Sequence, residues 1–222
     1  MKVNNGNIKI IISYIFGIFI IPRIVALALD FFASFDDGDS KLVINITTYG
    51  ILFAILLIMK HKKISGYFRS FSQNILRNLG IISLLLVVMY VILYQNNAIL
   101  RFFYNSPPSI NQQNLDVIKV GYPIWYVIIA VILVPFVEEV VFRDALYKIA
   151  RKRYGVVAGV IFSSILFGLM HTLSGDYVYL PLYSILGAAL MIGYLSTKNL
   201  LVPIITHSLY NAISIFILIG VI

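Results

Sequence analysis

The sequence predicts an all-α membrane protein, a polytopic helix bundle with about seven transmembrane helices. Of its 222 residues, 60% are hydrophobic and only 12% are charged, and the mean hydropathy is +0.95. Crossing a bilayer takes about 20 apolar residues per helix, and the sequence contains seven stretches of that kind. This composition excludes an ordinary soluble domain. The chain has no cysteine, which excludes disulfides and thiol chemistry.

The seven predicted spans form one integral-membrane domain, residues 1–222, without a repeat or a low-complexity linker. They lie near residues 8–29, 42–60, 78–95, 122–142, 156–172, 178–196 and 200–222. A cleavable signal peptide is the alternative for the first span. The long apolar run and the interrupting Arg23 favour a retained helix instead.

The distribution of charge predicts the orientation in the membrane. The segments 60–78 and 143–155, which connect predicted spans, are basic, whereas residues 30–41 are acidic and residues 95–121 carry few charges. Short basic loops stay in the cytoplasm, so we expect a cytoplasmic N-terminus and an external C-terminus. The net charge of +8 then reflects contact with anionic membrane lipid, and we expect no nucleic-acid partner.

Two carboxylates and two imidazoles fall inside predicted spans. Glu138 and Glu139 are the only glutamates of the chain, and His171 and His207 lie in apolar stretches. Such groups cost several kcal/mol in a bilayer and usually mark a site or a pathway. One lone histidine is more often a satisfied packing residue, but two glutamates and two histidines together favour a functional site.

Helical spacing separates the two glutamates. Residues four apart share a helix face, so Glu139 is expected to pair with Arg143, which leaves Glu138 free for chemistry. Pro135 deprives the span of one hydrogen bond and is expected to free the carbonyl of Val131. The resulting kink would open room for water beside the two carboxylates.

The same spacing recurs in two later spans, where Phe167 precedes His171 and His207 precedes Asn211. At a rise of about 1.5 Å per residue, Glu138, His171 and Asn211 lie roughly 18 to 24 Å from the basic ends of their helices, and His207 lies at about 12 Å. These depths permit the four polar side chains to converge inside the membrane.

Three short motifs resemble a known family. EEVVFR (residues 138–143), FGLMH (167–171) and HSLYN (207–211) follow one another on three spans. They resemble the EExxxR, FxxxH and HxxxN/D motifs of the CAAX protease and bacteriocin-processing (CPBP, or Abi) family of intramembrane proteases. The resemblance covers about residues 120–215, the expected protease core. One departure is Asp144, where the family commonly has glycine, and we expect Asp144 to cap or pair with the basic segment.

The resemblance implies a catalytic site for peptide hydrolysis inside the membrane. Glu138 with His171 would polarise a water as general base, and His207 with Asn211 would donate hydrogen bonds to the developing oxyanion. Supporting roles would fall to three further residues, Glu139, Arg143 and Phe167.

A zinc-dependent mechanism is the alternative. His171, His207 and Glu138 would make a site of two histidines and one carboxylate with an open position. Asparagine is a poor zinc ligand, however, and the sequence lacks HExxH. We therefore expect no required cofactor and keep zinc as the open alternative.

Two other classes of function remain. One is a non-catalytic scaffold of the same family that modulates a sensor kinase or confers bacteriocin immunity. The other is a transporter with a Glu138–His171 proton relay, which the absence of an inverted repeat disfavours. High usage of Ile, Asn and Lys suggests an AT-rich bacterium, so we expect a bacterial cell membrane and a substrate such as a bacteriocin or quorum-sensing precursor.

Overall fold

The computed structural model describes residues 5–32, 37–104, 109 and 123–218, and every regular element in these ranges is a helix. Five stretches are long and apolar enough to cross a membrane, and one apolar helix is shorter. They are Asn5–Phe31, Gly38–Gln73, Ile75–Phe103, Ile124–His171 and Tyr177–Thr197, with the shorter helix at Leu201–Ile217. The predicted polytopic helix bundle is confirmed.

The described part of the N-terminal half consists of four helices. A break at Ile20, next to Pro22, separates the first two. Their bounds are Asn5–Phe19 for α1, Ile21–Phe32 for α2, Asp37–Gln73 for α3 and Ile75–Tyr104 for α4. α1 packs directly on α3, because a Cβ atom at Gly17 would lie 2.4 Å from the side chain of Leu52.

Helix α3 is longer than the sequence predicts. The basic segment that begins at Lys60 was expected to connect two spans, but the helix continues through it to Gln73. Lys60 itself is buried, at 6% exposure. With 37 residues, α3 is about 55 Å long, well beyond the roughly 30 Å of a bilayer core.

The next stretch alternates between α-helical and π-helical turns. It contains α5 (Pro123–Ile128), a π-helical segment (Ile129–Leu133), α6 (Val134–Glu139), a second π-helical segment (Val140–Leu146) and α7 (Tyr147–His171). Single π-helical turns inside α-helices are often found at functional sites. Both of these segments flank the Glu138–Glu139 pair.

The chain doubles back within α7 at Gly155. This glycine has φ 87° and ψ 176°, which are not helical values, and a positive φ of this kind favours glycine. A Cβ atom at Gly159 would lie 2.9 Å from the backbone nitrogen of Arg151, and Ser163 Oγ donates to the carbonyl of Phe142 at 2.8 Å. The predicted fourth and fifth spans are therefore antiparallel neighbours joined at Gly155.

Two helices complete the described bundle, α8 (Leu180–Thr197) and α9 (Leu201–Leu218). Asn199 lies in the turn between them, accepts the backbone N–H of Leu201 at 2.9 Å and donates to the carbonyl of Tyr67 at 2.8 Å. α8 is the most enclosed span, with 56% of its apolar window buried, against 17% for the N-terminal stretch. The end of the predicted seventh span, beyond Leu218, lies outside the described residues.

The basic segments gather at one end of the bundle. There Arg77 donates to the carbonyl of Ser196 at 2.8 Å, close to the Asn199–Tyr67 contact. At the other end, Ser109 and Tyr183 share a hydrogen bond of 2.7 Å. The alternation of charge found in the sequence thus corresponds to two ends of the fold, and the side of the membrane that each end faces remains a prediction.

Candidate active site

A cavity of about 370 Å³ lies inside the bundle. All four predicted catalytic side chains line it: Glu138, His171, His207 and Asn211. They come from three separate stretches of chain, α6, the end of α7 and α9. The fold therefore brings these four residues together around one space.

The Glu138 carboxylate lines this cavity and accepts no hydrogen bond from the described residues. The residue is 5% exposed, and its Oε2 has no hydrogen-bond partner among the described residues. Nε2 of His171 is the nearby polar atom, at 3.8 Å. This distance is too long for a direct hydrogen bond, so a water molecule placed to one side would be able to contact both atoms.

The orientation of His171 is fixed by its neighbours. Nδ1 lies 2.9 Å from the carbonyl oxygen of Phe167, and because a carbonyl only accepts, Nδ1 carries the proton. Nε2 of the neutral ring is then an acceptor on the side of Glu138. The imidazole lies between Phe167, at 4.4 Å between ring centroids, and Tyr183, at 4.9 Å.

Glu139 is fully buried and has two partners. Its Oε2 lies 2.9 Å from Arg143 Nε, an ion pair whose N–H direction does not meet hydrogen-bond geometry. Its Oε1 accepts a hydrogen bond from His207 Nδ1 at 3.0 Å. The pair with Arg143 agrees with the spacing in the sequence, whereas the bond to His207 was not predicted. This bond leaves Nε2 of His207 as the nitrogen available to the cavity.

Phe167 holds the charged groups in place. The Arg143 guanidinium lies 4.5 Å from the Phe167 ring centroid, within cation–π range, and also donates to the carbonyl of Gly187 at 3.0 Å. The ring also packs against His207 at 5.8 Å. Gly187 makes room for it, because a Cβ atom there would lie 3.0 Å from the ring.

Asn211 is anchored by the π-helical segment. Its Nδ2 donates to the carbonyl of Ala130 at 2.8 Å. In this segment each backbone N–H bonds to the carbonyl five residues earlier, as Val134 does with Ile129. Pro135 has no N–H, so at this spacing the carbonyl of Ala130 lacks a backbone donor. The expectation that Pro135 frees the carbonyl of Val131 assumed α-helical spacing and stays a prediction, whereas the carbonyl that accepts from Asn211 is that of Ala130.

Asp144 lies outside the cavity and joins two helices. It is fully buried and accepts from Lys148, four residues on, and from Lys60 on α3. The expected pairing with basic residues is present. The partner from α3 had no signal in the sequence, because Lys60 lies 84 positions away.

The cavity is also lined by a set of polar residues that the sequence did not reveal. The pattern of charged groups in spans does not detect them, because they are neutral. Helices α1 and α3 supply Tyr14, Asn45 and Tyr49, and other elements add Tyr126, Tyr183, Tyr210 and Ser214.

The zinc alternative requires several ligand side chains close together. In the part of the chain that the structure describes, no three His, Asp or Glu side chains lie close enough to hold an ion. Among the described residues, Nε2 of neither site histidine forms a hydrogen bond, and Glu138 Oε2 lies 3.8 Å from Nε2 of His171. Activity without a required cofactor stays a prediction, with zinc as the alternative.

Fold and site together define the class: a multi-pass membrane protein with a cavity of glutamate, histidine and asparagine inside its helix bundle. Residues 120–213 match the family model of the Type II CAAX prenyl endopeptidase Rce1-like proteins. The resemblance carried by the three motifs is thus confirmed for this segment. The match supports a membrane protease function.

Two relatives carry names of the same kind. The chain is 32% identical over 130 residues to the membrane-embedded CAAX protease MroQ of Staphylococcus aureus, which covers 54% of this chain and 51% of the relative. It is 31% identical over 100 residues to a protein named membrane peptidase YdiL of Bacillus subtilis, which covers 45% of this chain and 39% of the relative. The matches therefore span about half or less of these relatives. No solved structure matches the chain significantly.

Proposed function

We propose that this chain is an intramembrane endopeptidase that hydrolyses a peptide bond in a membrane-associated peptide or protein. The observation that carries the proposal is the Glu138 carboxylate, which lines the cavity 3.8 Å from His171 Nε2 and has no hydrogen bond to any described residue. A buried carboxylate in this state is costly for a purely structural residue. Such a carboxylate suits a general base that binds the attacking water.

The first step would be the attack of water on the scissile carbonyl. A water bound between Glu138 and His171 gives a proton to Glu138 while its oxygen bonds to the carbonyl carbon. His171 accepts the second hydrogen of the water in a hydrogen bond and so orients it. The rigid packing of His171 between Phe167 and Tyr183 supports this positioning role.

The negative charge that develops on the carbonyl oxygen needs donors on the opposite side. Asn211 donates one amide hydrogen to Ala130, which fixes the group and leaves its second hydrogen for the oxyanion. His207 donates from Nε2 when both ring nitrogens carry protons. Glu139 balances that charge through Nδ1 at 3.0 Å. Donors fixed before the reaction lower the barrier most effectively.

In the second step the tetrahedral intermediate collapses. The bond between carbon and nitrogen breaks, and the leaving amine takes the proton that Glu138 had accepted. Glu138 returns to its carboxylate form, and no covalent enzyme intermediate is needed. Arg143 and Phe167 take no part in the bond changes and hold Glu139 and the two histidines.

The substrate and the cellular setting are proposed on composition. A bacteriocin or quorum-sensing precursor at a bacterial cell membrane fits the high usage of Ile, Asn and Lys, which suggests a bacterium with an AT-rich genome. The N-terminus would lie in the cytoplasm, and the basic end of the bundle would face anionic lipid.

Comparative peptidomics of cells that make the wild type or Glu138→Gln at equal levels tests the proposal. We expect membrane-derived peptides that appear only with the wild type, because the amide cannot accept the proton of the water. Identical peptide sets, with both proteins folded, would contradict a protease function and favour a non-catalytic membrane regulator such as a partner of a sensor kinase.

A further inference from the structure

We propose that helices α1 and α3, outside the segment matched by the family model, position the peptide substrate through Tyr14, Asn45 and Tyr49. The inference rests on the proposed protease function and assigns the substrate-binding wall of the same cavity. The ligand it expects is an uncharged, extended stretch of peptide backbone.

The location of these residues is the first argument. The four proposed catalytic side chains all come from residues 138–211, whereas Tyr14, Ile18, Asn45 and Tyr49 close the cavity from the N-terminal helices. A substrate that reaches Glu138 must therefore lie between the two sides.

The wall is polar, and its polar groups form no hydrogen bond with the described residues. Within the described part of the chain, the hydroxyls of Tyr14 and Tyr49 and the amide of Asn45 form no hydrogen bond. Tyr14 is only 5% exposed. Polar groups left unpaired at membrane depth cost several kcal/mol each, so these groups are expected to bond to water or to a polar ligand.

The arrangement of the wall is fixed. Asn45 and Tyr49 are four residues apart and share one face of α3. The Tyr14 ring packs edge-on against Phe142 at 5.9 Å. Tyr14, Tyr49 and Glu138 line the same cavity. The wall therefore adjoins the proposed general base.

The chemistry of the wall selects the ligand. An asparagine amide donates and accepts, as a peptide bond does, and a tyrosine hydroxyl can do both. Among the described residues that line the cavity there is no Lys, Arg or Asp, and Glu138 is the single carboxylate. An extended peptide has free amide groups, whereas the amides of a helical peptide are already bonded to one another. The wall thus fits an unwound segment around the scissile bond.

The test uses the full chain in lipid nanodiscs. A synthetic copy of the most abundant peptide substrate that depends on Glu138, identified by the peptidomics experiment, serves as the probe. Asn45→Leu and Tyr49→Phe should each raise KM by about 3- to 10-fold, the effect of one lost hydrogen bond. Their kcat should change less than about twofold. Tyr94→Phe is the matched control, because Tyr94 is 77% exposed on α4 and should keep wild-type values.

The outcomes separate this inference from the proposed function. If wild type and Glu138→Gln give the same peptides, the proposed function and this inference are both contradicted. If they differ but Asn45→Leu and Tyr49→Phe keep the wild-type KM, the inference alone is overturned. A fall in kcat at constant KM would also overturn it, because that pattern belongs to a group that acts only in the transition state.

Discussion

The two adjacent glutamates should respond in opposite ways to the same substitution. Glutamine has nearly the shape of glutamate and lacks its charge. At Glu138 the change removes a buried carboxylate that has no hydrogen bond to the described residues. At Glu139 it removes the charge that faces Arg143 at 2.9 Å and His207 at 3.0 Å.

The environment of each carboxylate sets the expected magnitude. Arg143 is 1% exposed and Glu139 is fully buried, and removal of one partner of a buried ion pair typically costs about 3 to 5 kcal/mol. Glu139→Gln should therefore lower the free energy of unfolding by about that amount. Glu138→Gln should leave it unchanged or raise it, because no bond is lost and a desolvated charge disappears.

Reversible unfolding in mixed detergent micelles, followed by circular dichroism, measures both variants against the wild type. The double variant Glu139→Leu with Arg143→Leu is the control, because removal of both charges leaves neither one unpaired. It should recover part of the stability lost in Glu139→Gln. Equal stabilities of Glu138→Gln and Glu139→Gln would refute this assignment of structural and chemical roles.

Four further predictions concern chemistry, packing and orientation. Asn211→Ala should lower kcat by about 10²- to 10³-fold with little change in KM, and wild-type turnover would remove Asn211 from the oxyanion site. Lys60→Met should destabilise the protein, because Asp144 loses a buried partner. Asp144→Asn in the same background should restore part of that stability. Additive losses of stability in this double-mutant cycle would contradict the contact. Purified enzyme should keep its activity in strong chelators, whereas loss of activity that zinc restores would establish a metal mechanism. A cysteine at exposed Arg101 should react with an impermeant thiol reagent from outside, and one at exposed Lys152 only after lysis; the reverse pattern would invert the topology.

Local periodicity was sufficient for much of the site. Hydropathy predicted the spans, and the four-residue spacing predicted that Glu139 faces Arg143, because both signals depend on a single helix. The estimated depths permitted Glu138, His171, His207 and Asn211 to converge, and the four residues line one cavity. Such depths depend only on the helical rise and on the positions of the basic ends.

The missed features depend on tertiary contacts or on irregular backbone. The bond between His207 and Glu139 joins residues 68 positions apart, and no spacing rule reaches across helices. The Ala130 contact of Asn211 depends on a π-helical register that α-helical spacing places one residue away. Lys60 was expected in a cytoplasmic loop because it begins a basic run. Its partner Asp144 lies 84 positions away, so the sequence gives no sign of the contact.

In the proposed mechanism, Glu138 acts as the base in peptide hydrolysis. The most direct measurement is the turnover of a Glu138-dependent peptide by purified, folded protein in nanodiscs, with wild type and Glu138→Gln compared at matched stability. The account predicts that the wild type cleaves the peptide and that Glu138→Gln loses at least about 10²-fold in kcat, the usual contribution of a general base. Turnover by Glu138→Gln at the wild-type rate would contradict it.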